Sequence, residues 1–281
     1  MPNILVPKPR GTKLSRVLAR WASRSCTYEE VRVGQSIQAV NNSQAGFRFQ
    51  GFNGNPLRGR IVLALCEIAA CSVFVETGSG KGATTLCAHS FLRLPVWSCE
   101  LNRINYHLCR LLTWGLKNVR VIHASSPEFL RDCVGHIEHG NDIPFFFLDA
   151  HGGFDGTGMT GSSCPLLEEL RIVFQLPEFV VMIDDVAVDG FLAGSYGATI
   201  IDMDLLRPML REHDIQSCWL PNYPAAVEIG WPSGYCIFWR SAKLDQKFES
   251  PQFPLNLLRK VQLSLQPASS IGEGGSGAHR S

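Results

Sequence analysis

A glycine-rich turn follows a short apolar run in the stretch VFVETGSGKGATT, residues 73–85. Its glycines stand at every second position: Gly78, Gly80 and Gly82. A phosphate loop of the G-x-x-x-x-G-K-[ST] type needs a glycine where this chain has Val75 and a hydroxyl residue directly after Lys81, where it has another glycine. The turn therefore predicts close approach of backbone to a ligand, and the phosphate loop is excluded.

Two acidic residues flank the turn. Glu76 ends the apolar run before it, and Glu100 ends the next apolar run. From that second position a carboxylate accepts hydrogen bonds from both hydroxyls of a ribose, so Glu100 predicts a bound adenosine moiety. Glu76 would repel a pyrophosphate and suits a ligand that carries an amino group and a positive sulfur. The glycines alone would also suit a dinucleotide such as NAD.

Polar residues also follow the three later apolar runs. They are Ser125 and Ser126, Asp149 and His151, and Asp184 and Asp185. Because ligands bind at the carboxyl ends of parallel strands, these residues are candidates for a site. Any single acid could instead cap the following helix. His151 is the candidate base, since imidazole takes a hydroxyl proton near neutral pH, and a structural histidine held by a backbone carbonyl is the alternative.

The apolar runs define the elements that must position these residues. Continuous apolar runs predict strands that are covered on both faces. They lie at 72–76, 96–100, 119–123, 144–149 and 179–185. Helices are predicted between and around them, at 57–70, 83–92, 102–116, 127–134, 165–175 and 204–213, and a closing hairpin at 217–221 and 234–240. This alternation predicts an α/β fold with a doubly wound, mostly parallel sheet and a C-terminal antiparallel hairpin.

The ordered series of motifs resembles class I S-adenosylmethionine-dependent methyltransferases over roughly residues 50–240. VETGSGKG is similar to the first motif of that family, acid-x-G-x-G-x-G, and Glu100 matches its ribose-binding acid. The resemblance implies a Rossmann-like fold and S-adenosylmethionine as cofactor. The implied cofactor-binding residues are Glu76, Gly78, Gly80, Gly82, Glu100, Ser125, Ser126 and Asp149. Ser125 stands where such proteins often have an aspartate near the adenine.

A second resemblance concerns a metal. LDAH and IDDV are similar to the acidic site of catechol-type O-methyltransferases, which implies Mg²⁺ bound by Asp149, Asp184 and Asp185. Oxygen ligands of this kind suit Mg²⁺. The lysine base of that family is replaced by Gly152, so His151 together with Asp149 is the predicted catalytic pair. The same aspartates could instead bind an amino group of a substrate or cap helices.

The composition limits the partners. The chain has 281 residues and a net charge of +1, so no global field points to nucleic acid, and no nucleic-acid partner is expected. Ten cysteines without a C-x-x-C pair indicate reduced thiols and a cytoplasmic location. No apolar run approaches the roughly 18 residues that a membrane span requires.

The predicted domains are a basic N-terminal arm and helix at 1–56, the methyltransferase-like domain at 57–240, and an extension at 241–281 that is disordered from about 266. The arm has no acid before Glu29, and its basic residues are Lys8, Arg10, Lys13, Arg16, Arg20 and Arg24. Apolar residues at helical spacing make a membrane-surface helix one interpretation. An arm that packs this stripe on the domain is the favoured one.

The sequence thus predicts a methyltransferase that modifies an oxygen of a small molecule or sugar, with metal assistance as an option. Two rivals remain: an NAD-dependent oxidoreductase, and a non-catalytic binding or scaffold protein with the same fold. The oligomeric state and the acceptor are not predicted.

Overall fold

The computed structural model describes residues 51–137, 142–150, 164–193, 195–196, 199–228, 232–247 and 257–263. The predictions for the N-terminal arm, the C-terminal tail and His151 lie outside these residues. Within them the chain forms an eight-stranded sheet, a separate two-stranded ribbon and seven α-helices.

Five parallel strands form one side of the sheet. They are β1 Val73–Thr77, β2 Val96–Glu100, β3 Val119–His123, β4 Pro144–Leu148 and β5 Phe179–Ile183. The strands β1, β4 and β5 are buried throughout, as their continuous apolar sequences predict. By contrast, β3 lies at the edge of the sheet and is partly exposed.

The strand order brings the ends of β1 and β4 to the centre of the molecule. Three C-terminal strands join the sheet: β8 Ser217–Pro221, β9 Cys236–Arg240 and β10 Leu258–Gln262. The order is β10-β8-β9-β5-β4-β1-β2-β3, and all pairings beyond β5 are antiparallel. The chain winds outward from β1 to β3 and then returns to β4 on the other side of β1. The predicted doubly wound, mostly parallel, Rossmann-like sheet with an antiparallel hairpin is therefore confirmed.

Seven helices accompany the strands, and the second to the fifth of them connect the parallel strands. They are α1 Pro56–Ala69, α2 Ala83–Leu92, α3 Arg103–Leu112, α4 Ser126–His136, α5 Leu166–Val173, α6 Met203–Glu212 and α7 Ala242–Lys247. Short elements complete the described chain: 3₁₀ turns at Phe52–Gly54 and Ala225–Val227, and strands β6 Ser195–Tyr196 and β7 Thr199–Ile200. Asn55 begins α1, since its side chain accepts a hydrogen bond from the N–H of Leu57 at 2.9 Å.

The core consists of two apolar clusters, one on each face of the sheet. Alternate residues of β1 divide between them: Val73 and Val75 belong to one cluster and Phe74 to the other. Phe52 is fully buried and packs edge to face on Phe74. The core therefore reaches back before residue 57, and β10 extends the sheet beyond residue 240.

Two further properties bear on the environment of the protein. All nine cysteines of the described residues are free thiols. Among the same residues, no helix combines the length and the apolar character that crossing a membrane requires.

Candidate functional site

The glycine turn lies at the point where the strand order reverses, between the ends of β1 and β4. Gly78 has a φ of +73°, and a Cβ atom there would lie 2.5 Å from the carbonyl oxygen of Asp149. The N–H of Asp149 in turn donates to the carbonyl of Thr77 at 3.2 Å. Only glycine fits such an approach of two backbones. The structure therefore brings the turn and Asp149 together, as the sequence predicts.

The N–H groups of the turn are used inside the protein. Ser79 donates to the carbonyl of Cys99 at 2.9 Å, and Gly82 donates to the carbonyl of Ser79 at 2.8 Å. Gly80 donates to Oε2 of Glu100 at 2.8 Å. Phosphate cradles work by pointing such N–H groups at the ligand. In this turn, the Glu100 carboxylate already occupies the N–H group of Gly80, which a phosphate would need as a donor.

The Glu100 carboxylate is held by backbone donors on both oxygens. Its Oε1 accepts from the N–H of Asn102 at 2.7 Å, and its Oε2 accepts from Gly80. A Cβ atom on Gly80 would meet no atom within 4 Å. The turn is therefore open to a ligand beside an oriented carboxylate.

Glu76 lies beneath the turn rather than at its surface. It is 1% exposed, and its Oε2 accepts from the hydroxyls of Thr85 at 2.5 Å and Ser98 at 2.6 Å. Burial raises its pKa to about 7, the two hydroxyl donors oppose that rise, and the charge of Glu100 adds to it. Glu76 thus ties β1 to α2 and β2. Of the two acids, Glu100 is the one in direct contact with the turn.

Three aspartates converge at the ends of β4 and β5. Burial raises the pKa of Asp149 well above its ordinary value, and the nearby charges of Asp184, Asp185 and Glu76 raise it further. Asp185 has a φ of +58°, a left-handed conformation that aspartate tolerates better than most residues. These three acids therefore lie close together, as expected for residues that follow neighbouring parallel strands.

A buried arginine neutralises one of these aspartates, and sequence reasoning missed it. Arg58 of α1 is fully buried and pairs through Nη1 with Oδ1 of Asp184 at 2.5 Å. Through Nη2 it pairs with Glu228 at 3.0 Å. Asn53 donates to Oδ2 of Asp184 at 2.8 Å, and Ser233 donates to Oδ1 at 3.1 Å. The available signal was a charged residue in a largely apolar helix, and Arg60 and Glu67 of the same helix carry that signal too.

These contacts do not fit a magnesium site. Both carboxylate oxygens of Asp184 accept hydrogen bonds from protein groups, and a guanidinium supplies the positive charge beside it. In the part of the chain that the structure describes, no group of three or more histidine, cysteine, aspartate or glutamate side chains is arranged to hold a metal ion. The predicted Mg²⁺ therefore gains no support from these residues.

The serines after β3 have different surroundings. Ser125 precedes α4, and its hydroxyl donates to Oε2 of Glu128 at 2.7 Å, whereas Ser126 is buried. Ser125 and Glu128 thus form a capping box at the start of α4. The rings of Tyr106 and His123 lie 5.2 Å apart at the sheet edge next to Glu100, and sequence reasoning had singled out neither.

Comparison with known proteins returns structures only, because no protein-family model and no curated protein matches this sequence. A Klebsiella pneumoniae protein, provisionally assigned as an O-methyltransferase, has 15% identity and a TM-score of 0.47 over 85% of this chain and 93% of its own. The O-methyltransferase from Bacillus cereus, in complex with SAH, has 14% identity and a TM-score of 0.46 over 79% of this chain and 99% of its own. The precorrin-6y C5,15-methyltransferase from Geobacter metallireducens has 17% identity and a TM-score of 0.38 over 63% of this chain and 86% of its own. At such identities and TM-scores, nothing about the function of this chain follows from the likeness.

Proposed function

We propose that the protein is an S-adenosylmethionine-dependent methyltransferase that modifies an oxygen of a small molecule or sugar. One observation carries the proposal: the Glu100 carboxylate is hydrogen-bonded into the glycine turn at Gly80. A carboxylate held there suits the two hydroxyls of a ribose. The open space at Gly80 leaves room for the rest of a nucleoside.

The same contact disfavours NAD. A dinucleotide places its pyrophosphate on the N–H groups of the glycine turn. Here the N–H groups of Ser79, Gly80 and Gly82 have acceptors within the protein, and one of those acceptors is negatively charged. A phosphate at this place would meet a carboxylate, and these three N–H groups are already engaged. A sulfonium nucleoside carries no phosphate and avoids the conflict.

When bound, S-adenosylmethionine supplies an electrophilic methyl group, so the protein needs to orient the reactants and accept a proton. Glu76 supports the turn from below, and Glu100 orients the ribose. Asp149 stands at the switch point, and its raised pKa makes its ionised form a stronger base than an ordinary aspartate. An acceptor hydroxyl that took up this methyl group would have to lose its proton, and ionised Asp149 would be the residue to accept it. His151 stays a second candidate base.

Calorimetric titration tests the binding part of this proposal. The wild-type protein is expected to bind S-adenosylmethionine and S-adenosylhomocysteine and to show no heat with NAD or ATP. Glu100→Ala should weaken binding by about 100-fold, because two hydrogen bonds to a charged acceptor are lost. Glu212→Ala, an exposed carboxylate on α6, is the matched control. Tight NAD binding that depends on Glu100 would overturn the proposal in favour of the oxidoreductase.

Turnover is measured separately by the appearance of S-adenosylhomocysteine in the presence of hydroxylated acceptors. Asp149→Asn is expected to lower the rate while leaving cofactor affinity close to that of the wild type. Cofactor binding that remains without turnover, across catechols, phenols and sugars, would favour the scaffold interpretation over the enzyme.

A further inference from the structure

The helix α3 presents an apolar stripe to solvent. Of the seven large hydrophobic side chains that are strongly exposed in the described residues, five lie on this helix and at its two ends. They are Leu101 at 50%, Ile104 at 71%, Leu108 at 42%, Leu111 at 48% and Trp114 at 68% exposure. Isolated exposed leucines are ordinary, but a contiguous group of this kind indicates an interaction surface.

The stripe follows from the helical period. Ile104, Leu108 and Leu111 are separated by four and then three residues, so they share one face of α3. The opposite face packs on the protein through Cys109, whose Sγ lies 3.7 Å from Oγ1 of Thr85. The helix therefore has its apolar stripe directed away from the sheet, which is the reverse of the usual orientation.

A row of basic residues runs beside the stripe. Arg103, His107 and Arg110 are all exposed and repeat the same four-and-three spacing, each one position before an apolar residue. Lys117 follows after the helix. The sequence contains no acidic residue from 101 to 127. The exposed face of α3 thus combines an apolar stripe with positive charge that has no acid of its own segment to balance it.

We propose that this face docks the protein onto an anionic lipid surface. A basic amphipathic helix with leucine and tryptophan on its apolar side lies in the plane of a membrane interface, with the apolar side among the acyl chains. Cations flanking that side contact negatively charged headgroups, and each contributes to binding. Trp114 suits the headgroup level, where an apolar ring with one polar atom is favoured.

The charges argue against other occupants. A second copy of the chain on the same stripe would bring the Arg103 and Arg110 side chains of both copies together, which is repulsive. Residues 1–28 carry six basic residues and no acid, so this arm also repels α3, although its own charge suits an anionic membrane. Nucleic acid would use stacking aromatic side chains, whereas this stripe is mostly aliphatic.

Vesicle flotation with the full chain tests the proposal. The wild-type protein is expected to float with vesicles of phosphatidylcholine and phosphatidylserine, and to bind at least about thirtyfold more weakly to phosphatidylcholine alone. The triple variant Ile104→Gln, Leu108→Gln, Leu111→Gln should lose more than about tenfold in affinity. The double variant Arg103→Gln, Arg110→Gln should lose about thirtyfold, or about fivefold for each cation.

Matched variants keep the test specific. Ile200→Gln removes an apolar side chain with 54% exposure elsewhere, and Arg259→Gln removes an exposed cation of β10; both should bind vesicles like the wild type. The stripe residues are exposed, so the circular dichroism spectrum and melting temperature of the triple variant should match the wild type.

Three results would overturn the proposal. The first is wild-type protein that binds neither vesicle. The second is vesicle binding that survives the α3 variants and falls only when Arg16, Arg20 and Arg24 of the arm are changed to Gln. The third is duplex DNA or RNA, or a second copy of the chain, that binds through α3 in gel shift or sedimentation while vesicles do not.

Discussion

Replacement of Glu76 by Gln is expected to change how stability depends on pH. Relative to the wild type, the variant should gain free energy of unfolding as the pH rises from acidic to alkaline. The pKa of Glu76 rises from 4.5 to about 7 on folding, mainly because of burial. The folded state therefore binds a proton more tightly than the unfolded state does. This tighter proton binding by Glu76 stabilises the folded state fully below pH 4.5, and the stabilisation is lost as the pH rises through about 7.

The size of the effect follows from that rise. Each pKa unit corresponds to about 1.4 kcal/mol, so ionisation of Glu76 costs the folded state about 3 kcal/mol above its folded pKa. Gln cannot ionise, and its carbonyl can accept the same two hydrogen bonds from Thr85 and Ser98. Its buried NH₂ group adds a cost that is the same at every pH. The difference between the two pH profiles therefore isolates the ionisation.

Urea unfolding at a series of pH values, followed by tryptophan fluorescence, measures this difference. Between about pH 5 and about pH 8.5 the free energy of unfolding of the wild type should fall by about 2 to 3 kcal/mol more than that of Glu76→Gln. Ser98→Ala removes a donor that lowers the pKa of Glu76, so the loss with rising pH should become larger than in the wild type. Glu212→Gln controls for removing one exposed carboxylate. Parallel pH profiles for the wild type and Glu76→Gln would refute the reasoning.

Two other regions give predictions of defined size. Gly78→Ala should prevent S-adenosylmethionine binding and lower the melting temperature strongly, because the added Cβ would meet the Asp149 carbonyl. At Gly80 the added Cβ would meet no atom, so Gly80→Ala should cost only about 1 kcal/mol of stability, from strain in its left-handed backbone. Equal losses in thermal melts and calorimetry would contradict this contrast. Arg58→Met should cost about 3 to 5 kcal/mol in urea unfolding, because Asp184 is left buried without its cation, and adding Asp184→Asn should recover part of that loss. A cost below about 1 kcal/mol would show that the buried pairs are not needed.

The sequence predicted the strands well because their signal is local. The limits of β2 and β3 are those predicted, although Ser98 interrupts the apolar run of β2 and Arg120 that of β3. The helix at 102–116 was predicted too long, because α3 ends at Leu112. Its residues Ile104, Leu108 and Leu111 face solvent instead of the sheet. An apolar pattern gives the period of a helix but does not say which side is covered.

The candidate site was predictable only in part. The motif order located Glu100 and the three aspartates, because strand ends of a parallel sheet meet at one edge. The partners of those acids are distant in sequence: Arg58 is 126 residues from Asp184, and Ser98 is 22 residues from Glu76. No spacing rule connects such pairs. Burial and pairing therefore changed the interpretation of Glu76 and Asp184, two acids that the motifs had found.

A crystal structure of the protein with S-adenosylhomocysteine tests the central claim most directly. The account predicts both ribose hydroxyls within hydrogen-bond distance of the Glu100 carboxylate, with the Gly80 N–H still donating to the same side chain. A structure in which the N–H groups of Ser79 and Lys81 instead hold a di- or triphosphate, with Glu100 turned away from the turn, would contradict it.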